Sequence, residues 1–180
     1  GLGNTGKALA RRASAFGVKI MYFDIIRQDA IEKELGLEFV FPEKLLKYSD
    51  ILSYHVPKTS YTRHLINSNS LNKMKDGALL INASRGDVHD ENAIYEALIS
   101  KKLSGAGLDV FEKEPLPNKS PICKLDNVVL TPHSAPDREC YTRTIRNAFE
   151  NLTRVSKGET PQALAVDHEE ATRQFLIQFP

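Results

Sequence analysis

The chain has no tryptophan, only two cysteines in 180 residues, and no apolar run near the roughly 18 residues that a membrane-spanning helix needs. It also lacks an excess of either charge. Lys and Arg number 24 against 23 Asp and Glu, a formal net charge of +1, and the charges are scattered without a block. Nucleic acid and anionic lipid select basic stripes, so neither is an expected partner. Cys123 and Cys140 are too few for a disulfide framework and lack metal-ligand spacing, so they read as packing residues of a cytoplasmic protein with no metal site. The chain does not begin with methionine, so a targeting segment is not judged.

What is present is alternation. Apolar strings of strand length, "VKIMYF", "DILSYHV", "GALLIN", "GAGLDVF" and "NVVLTP", are separated by the helical stretches "TGKALARRASAF", "PEKLLKY", "SNSLNKM" and "DENAIYEALIS". That order predicts an α/β fold, a Rossmann-type doubly wound parallel sheet with crossover helices, and the near-continuous apolar strands predict a sheet covered on both faces. Asp90 is placed to cap the helix that follows it. After His133, "PDRECYTRTIRNAFENLTRVSKG" predicts one long helix, with Pro136 near its first turn and Gly158 as its stop. The remaining tail has no evident partner of its own.

The first six residues, "GLGNTG", fit the glycine pattern that cradles a dinucleotide pyrophosphate: one glycine turns the chain, one admits the phosphate, and one lets the helix pack. Gly1, Gly3 and Gly6 are the candidates, with Asn4 and Thr5 in the same loop and the helix N-terminus aimed at the anion. Asp24 ends the next apolar string, about 20 residues on, where an acid would bind the adenosine ribose hydroxyls. An acid there repels a ribose phosphate, so NAD is expected over NADP. Arg27 lies close enough to weaken that discrimination, although a solvated surface arginine is the expected reading.

Three further stretches, "INASRGDVHDE", "GLDVFEKEP" and "TPHSAP", each follow a strand candidate, where open parallel sheets bind ligands. One at a time, their residues have structural explanations: a surface arginine, a turn-capping aspartate, a histidine behind a proline. In this order, with "SYHVP", "TRHLIN", "MKDGALLINASRG", "GAGLDVFEKEP" and "NVVLTPH", the chain from Gly1 to about Pro132 resembles the D-isomer-specific 2-hydroxyacid dehydrogenases. The resemblance implies that Arg85 holds the carboxylate and carbonyl of a 2-keto acid. It implies that His133 is the general acid/base, and that Glu114 pairs with that histidine and favours its protonated form. It places Asp109 near the nicotinamide amide and puts Val56, Ala83 and Ser84, with Arg85 and His133, along the cofactor. Two departures stand out: Pro136 where small, glycine-containing sequence is usual, and Thr5 where an apolar residue is usual.

The resemblance further implies an NAD-binding domain over residues 1–134, and a long helix and tail over 135–180 that return to a second, substrate domain. Relative to that family the chain lacks an N-terminal part and the first strand of the nucleotide sheet, so it is expected to be poorly stable and inactive by itself, and a homodimer at full length. The expected activity is hydride transfer between NAD(H) and a 2-keto acid/D-2-hydroxy acid pair. Formate oxidation is disfavoured, because those relatives carry an amide where Glu114 stands. An NAD(H)-responsive interaction protein, like the family's transcriptional corepressors, is the alternative. His55, His64, His168 and also His89, a polar residue where the family tends to be apolar, are expected to have structural rather than catalytic roles.

Overall fold

A computed structural model describes residues 1–135, 138–162 and 168–178. Six parallel strands alternate with helices: α1 (Asn4–Ser14), β1 (Met21–Tyr22), α2 (Asp29–Leu35), β2 (Glu38–Phe39), α3 (Pro42–Tyr48), β3 (Ile51–Tyr54), α4 (Ser68–Asn72), β4 (Ala78–Asn82), α5 (Glu91–Ile99), β5 (Leu103–Leu108), β6 (Val128–Leu130), α6 (Arg138–Ser156) and α7 (His168–Gln178). The strands form two sheets, β1-β2 and β3-β4-β5-β6, parallel throughout. Gly1 lies between them. Its nitrogen donates to Phe23 O at 2.8 Å beyond the end of β1, and a Cβ on it would stand 2.5 Å from His55 O beyond the end of β3.

The alternation along β4 shows how the larger sheet is packed. Ala78, Leu80 and Asn82 point into the core, while Leu79 and Ile81 point away from it. The core face is sealed by Leu71 of α4 and by Ala93, Ile94, Ala97 and Leu98 of α5, against Leu52, Leu80, Leu103, Ala106 and Leu108. Truncating a buried leucine such as Leu80 would cost about 2–5 kcal/mol. Helices α1 and α2 cover the β1-β2 sheet instead, through Leu2, Ala10, Tyr22 and Leu37 with Ile31, Leu35 and Phe39. The larger sheet is therefore not covered on both faces as expected. Ile51, Leu79, Ile81 and Val129 stay 38–69% exposed.

The predicted helices form, with Asp90 accepting from Ala93 N at 3.1 Å as the cap of α5. Gly158 ends α6 in the left-handed conformation, φ 75°, its nitrogen donating to Val155 O. Tyr141, Ile145, Phe149, Leu152 and Val155 make an apolar stripe along α6, each more than half exposed. Three elements have no counterpart among the sequence expectations: β2, α2 and α7. Helix α7 brings the Phe175 ring to 5.7 Å from that of Phe23. Pro136 lies outside the described residues. No described helix is long and apolar enough to cross a membrane.

Candidate active site

The sequence-predicted residues gather at the carboxyl ends of the strands. Asp24 follows β1, Val56 follows β3, Ala83, Ser84 and Arg85 follow β4, Asp109 follows β5 and His133 follows β6. Parallel strands present their ligand-binding loops on this edge.

At one end is the glycine loop. A Cβ on Gly6 would come within 2.3 Å of Gly1 O, and one on Gly1 would press on His55 O and the Val56 side chain, so neither position takes a larger residue without the backbone moving. A Cβ on Gly3 meets nothing within 4 Å, which leaves its outer side open to a ligand. Asn4 and Thr5 form the exposed first turn of α1. No side chain caps that helix and no acid stands in its first turn, so its N-terminal amides and dipole are available to an anion. Asp24 Oδ2 accepts from Leu2 N at 2.5 Å and Oδ1 from Ile26 N at 3.1 Å, which ties the acid to the loop. These residues fit a dinucleotide. Arg27 is exposed at the surface, as expected, and is paired there with an acid. Its Nε and Nη2 donate to the two oxygens of Glu32 at 2.9 Å, and its guanidinium lies 5.3 Å from the Phe39 ring centre. With Tyr22 Oη donating to the same carboxylate, Glu32 is held down to about 2.

At the other end is an acid–base pair. His133 Nδ1 lies 2.8 Å from Glu114 Oε2, and Glu114 Oε1 accepts from Phe111 N at 3.0 Å. The hydrogen bond from His133, helped by the Phe111 amide, holds the Glu114 carboxyl below its usual range. An ionised carboxylate accepts only, so Nδ1 carries the shared proton and Nε2 is the nitrogen left for a ligand. His133 sits at φ 52°, in the left-handed region that non-glycine residues seldom occupy.

Asp109 explains how that backbone is held. Its carboxylate accepts from Thr131 Oγ1 at 2.5 Å, Ser134 N at 2.9 Å and Ala135 N at 3.1 Å, bracketing His133 on both sides. Burial pushes this carboxyl up, but the three donors and the nearby His133 outweigh it and hold it low. Asp109, expected near the nicotinamide amide, has both of its oxygens bonded to the histidine segment. Thr131, Ser134 and Ala135 were not anticipated, since contacts to backbone amides depend on a turn geometry that residue types do not announce.

Arg85 is exposed, with Nη1 donating to Ser84 O at 2.6 Å, and Ala83 beside it is exposed too. The remaining histidines divide. His55 Nε2 bonds Ser53 Oγ at 2.9 Å, and burial lowers its pKa. His64 pairs with Glu112 at 3.3 Å, and His168 is an exposed residue opening α7. His89, by contrast, is wholly buried. No cluster of metal-ligating side chains occurs among the described residues.

Comparison with known proteins agrees with this geometry. A family model described as D-isomer specific 2-hydroxyacid dehydrogenase, NAD binding domain, matches residues 1–135. The chain is 49% identical over 165 residues to a glyoxylate reductase of Korarchaeum cryptofilum, covering 91% of this chain and 50% of that protein. It is 47% identical over 135 residues to a hydroxypyruvate reductase of Thermotoga maritima, covering 74% of this chain and 43% of that protein. Among solved structures, apo D-mandelate dehydrogenase of Rhodotorula graminis superposes with a TM-score of 0.86 at 36% identity, over 93% of this chain and 50% of that one. The chain thus spans about half the length of the curated relatives it matches. With the glycine loop, Asp24 and the strand-end residues in one arrangement and a family model matched across them, the chain belongs to the D-isomer specific 2-hydroxyacid dehydrogenase family.

Proposed function

We propose that the protein transfers hydride between NAD(H) and a small 2-keto acid/D-2-hydroxy acid pair, with glyoxylate and hydroxypyruvate the first substrates to try. The observation that carries this is the His133–Glu114 pair at 2.8 Å, held on the strand-end edge that also carries Arg85, the glycine loop and Asp24. The names of the two curated relatives support the substrate class.

In this scheme the catalytic residues are Arg85, Glu114 and His133. Arg85 offers a permanently charged, planar fork to the substrate carboxylate, which orients the keto carbon. His133 Nε2 gives its proton to the keto oxygen during reduction and takes it back in oxidation, while Glu114 fixes the ring through Nδ1. Asp109 keeps the ring at its place by pinning the chain before and after it. NAD(H), when bound, supplies or accepts the hydride. Its pyrophosphate would rest on Gly1, Gly3, Asn4, Thr5 and Gly6, its ribose hydroxyls on Asp24, and its nicotinamide half along Val56, Ala83 and Ser84.

Glu32 holds the Arg27 guanidinium, which leaves Asp24 as the acid offered to the ribose, and this favours NAD. Asp24→Ser is expected to cut the preference for NADH over NADPH by about tenfold or more, a change of about 1.4 kcal/mol in relative affinity. Fluorescence titration with the two reduced cofactors checks it, and an unaltered ratio counts against the ribose contact.

The activity itself is tested by NADH consumption by the full-length protein with glyoxylate, hydroxypyruvate and pyruvate. Turnover of at least one is the expected result. NADH binding without turnover of any would instead favour a cofactor-responsive interaction protein. We further propose the domain division 1–134 and 135–180, a homodimeric assembly and a cytoplasmic location. The exposed apolar stripe of α6 supports packing of that helix against further protein.

A further inference from the structure

Asn82 ends β4, directly before the Ala83–Gly86 segment that presents Arg85, and it is wholly buried. All four of its hydrogen-bonding positions are used. Oδ1 accepts from Ser84 N at 3.0 Å and from Ser84 Oγ at 2.7 Å, while Nδ2 donates to Arg85 O at 3.2 Å and lies 2.8 Å from His89 Nδ1. The Ser84 amide can only donate, which fixes the oxygen end of the Asn82 side chain. Nδ2 is therefore the donor toward His89, and Nδ1 of the imidazole must accept. The ring proton then sits on Nε2, which is buried and has no partner among the described residues.

A buried N–H without a partner costs stability that an apolar side chain would not, so the ring at this position is accounted for by its other nitrogen. An apolar residue at 89 would leave one Asn82 amide hydrogen unmet and let that side chain turn, with loss of its grip on Ser84 and on the Arg85 carbonyl. We propose that His89 is a positioning residue for Arg85. Its Nδ1 locks the Asn82 amide in the orientation that holds the Ser84–Arg85 backbone, and that backbone aims the guanidinium at the substrate carboxylate. The inference rests on the role given to Arg85 above.

His89→Leu removes the acceptor while filling a similar volume. In the full-length variant the KM for the 2-keto acid is expected to rise about fivefold or more, with kcat and the NADH dissociation constant each within about twofold, because only substrate positioning is disturbed. Exchange of the Ser84 amide hydrogen should accelerate by about tenfold or more. In the unsubstituted protein, nitrogen NMR should find a scalar coupling between Asn82 Nδ2 and His89 Nδ1 across their hydrogen bond, with the ring proton on Nε2. A folded His89→Leu protein with unchanged KM and unchanged Ser84 exchange overturns the inference. A proton on Nδ1 in the unsubstituted protein overturns it too, whether or not the variant folds. A protein that turns over none of the 2-keto acids defeats the proposed function instead, and the coupling and the Ser84 exchange still decide the role of His89.

Discussion

If the proposed roles hold, replacing His133 with alanine is expected to lower kcat for 2-keto acid reduction by about a thousandfold, with the dissociation constant for NADH staying within about twofold. The size follows from what the ring alone can do here. Nδ1 is taken by Glu114, so Nε2 is the one imidazole nitrogen able to carry a proton to the substrate oxygen. The selectivity for kcat follows from how the segment is held. Thr131, Ser134 and Ala135 are fastened to Asp109 through their own hydroxyl and amides, so removing the ring leaves the backbone where it was. Histidine is several-fold enriched over most residues at positive φ, so alanine at 52° adds a small backbone strain, and a parallel His133→Asn variant separates that strain from loss of the ring. Steady-state kinetics with a parallel NADH titration separate the two quantities. A kcat that survives the substitution would mean that the proton comes from elsewhere. Glu114→Gln, which keeps an acceptor oxygen but removes the charge, should fall between the two proteins, at about a tenfold loss.

The second large effect concerns stability in acid. Burial lowers the His89 pKa from 6.5 to about 4, with His64 adding to the fall and Asp90 and Asp87 opposing it. The folded protein therefore holds this ring neutral over a pH range in which the unfolded chain protonates it. The unfolded state binds the extra proton between pH 6.5 and 4, so the contribution is full above pH 6.5, declines as the pH falls through that window, and is gone below about 4. At about 1.4 kcal/mol per pH unit the whole window is worth about 3 kcal/mol, a large share of a typical domain's net stability. Urea unfolding of the unsubstituted protein and of His89→Leu between pH 4 and 7 checks this. The difference between the two should shift against the histidine protein by about that amount as the pH falls. A difference that does not vary with pH refutes it.

Strands β3 to β6 and helix α5 were legible in the sequence because their burial is written in residue type. Leu80, Leu103, Leu108 and Ile94 fall in apolar strings of the right length, and Asp90 marks the helix start. Strand β2 was not legible because the charged Glu38 is one of its two residues, whereas the equally short β1 sits inside the apolar string "VKIMYF". Helix α2 was missed because no proline or capping side chain marks its start, whereas α3, which also buries no residue fully, opens on Pro42. The expectation of a sheet covered on both faces failed for a physical reason: Leu79, Ile81 and Val129 are as apolar as the residues opposite them, and residue type does not say whether another layer lies above. The site divides in the same way. Arg85, Glu114 and His133 were proposed from the family resemblance and Asp24 from its spacing behind the glycine loop, and the structure brings His133 and Glu114 into contact. The pinning of the histidine segment by Asp109 and the burial of His89 against Asn82 were not found, because each depends on which way a turn faces.

Asp24 answers to two neighbours at once. In the proposed cofactor site its carboxylate would set the charge offered to a ribose, and its Oδ2 also braces Leu2 N in the middle of the glycine loop. Under that proposal, preference between the two nicotinamide cofactors and stiffness of the phosphate cradle become one adjustable quantity. An engineer who exchanges the acid to admit a phosphorylated ribose also unties the loop. Recovering tight binding would take a second substitution that gives the Leu2 amide a new acceptor.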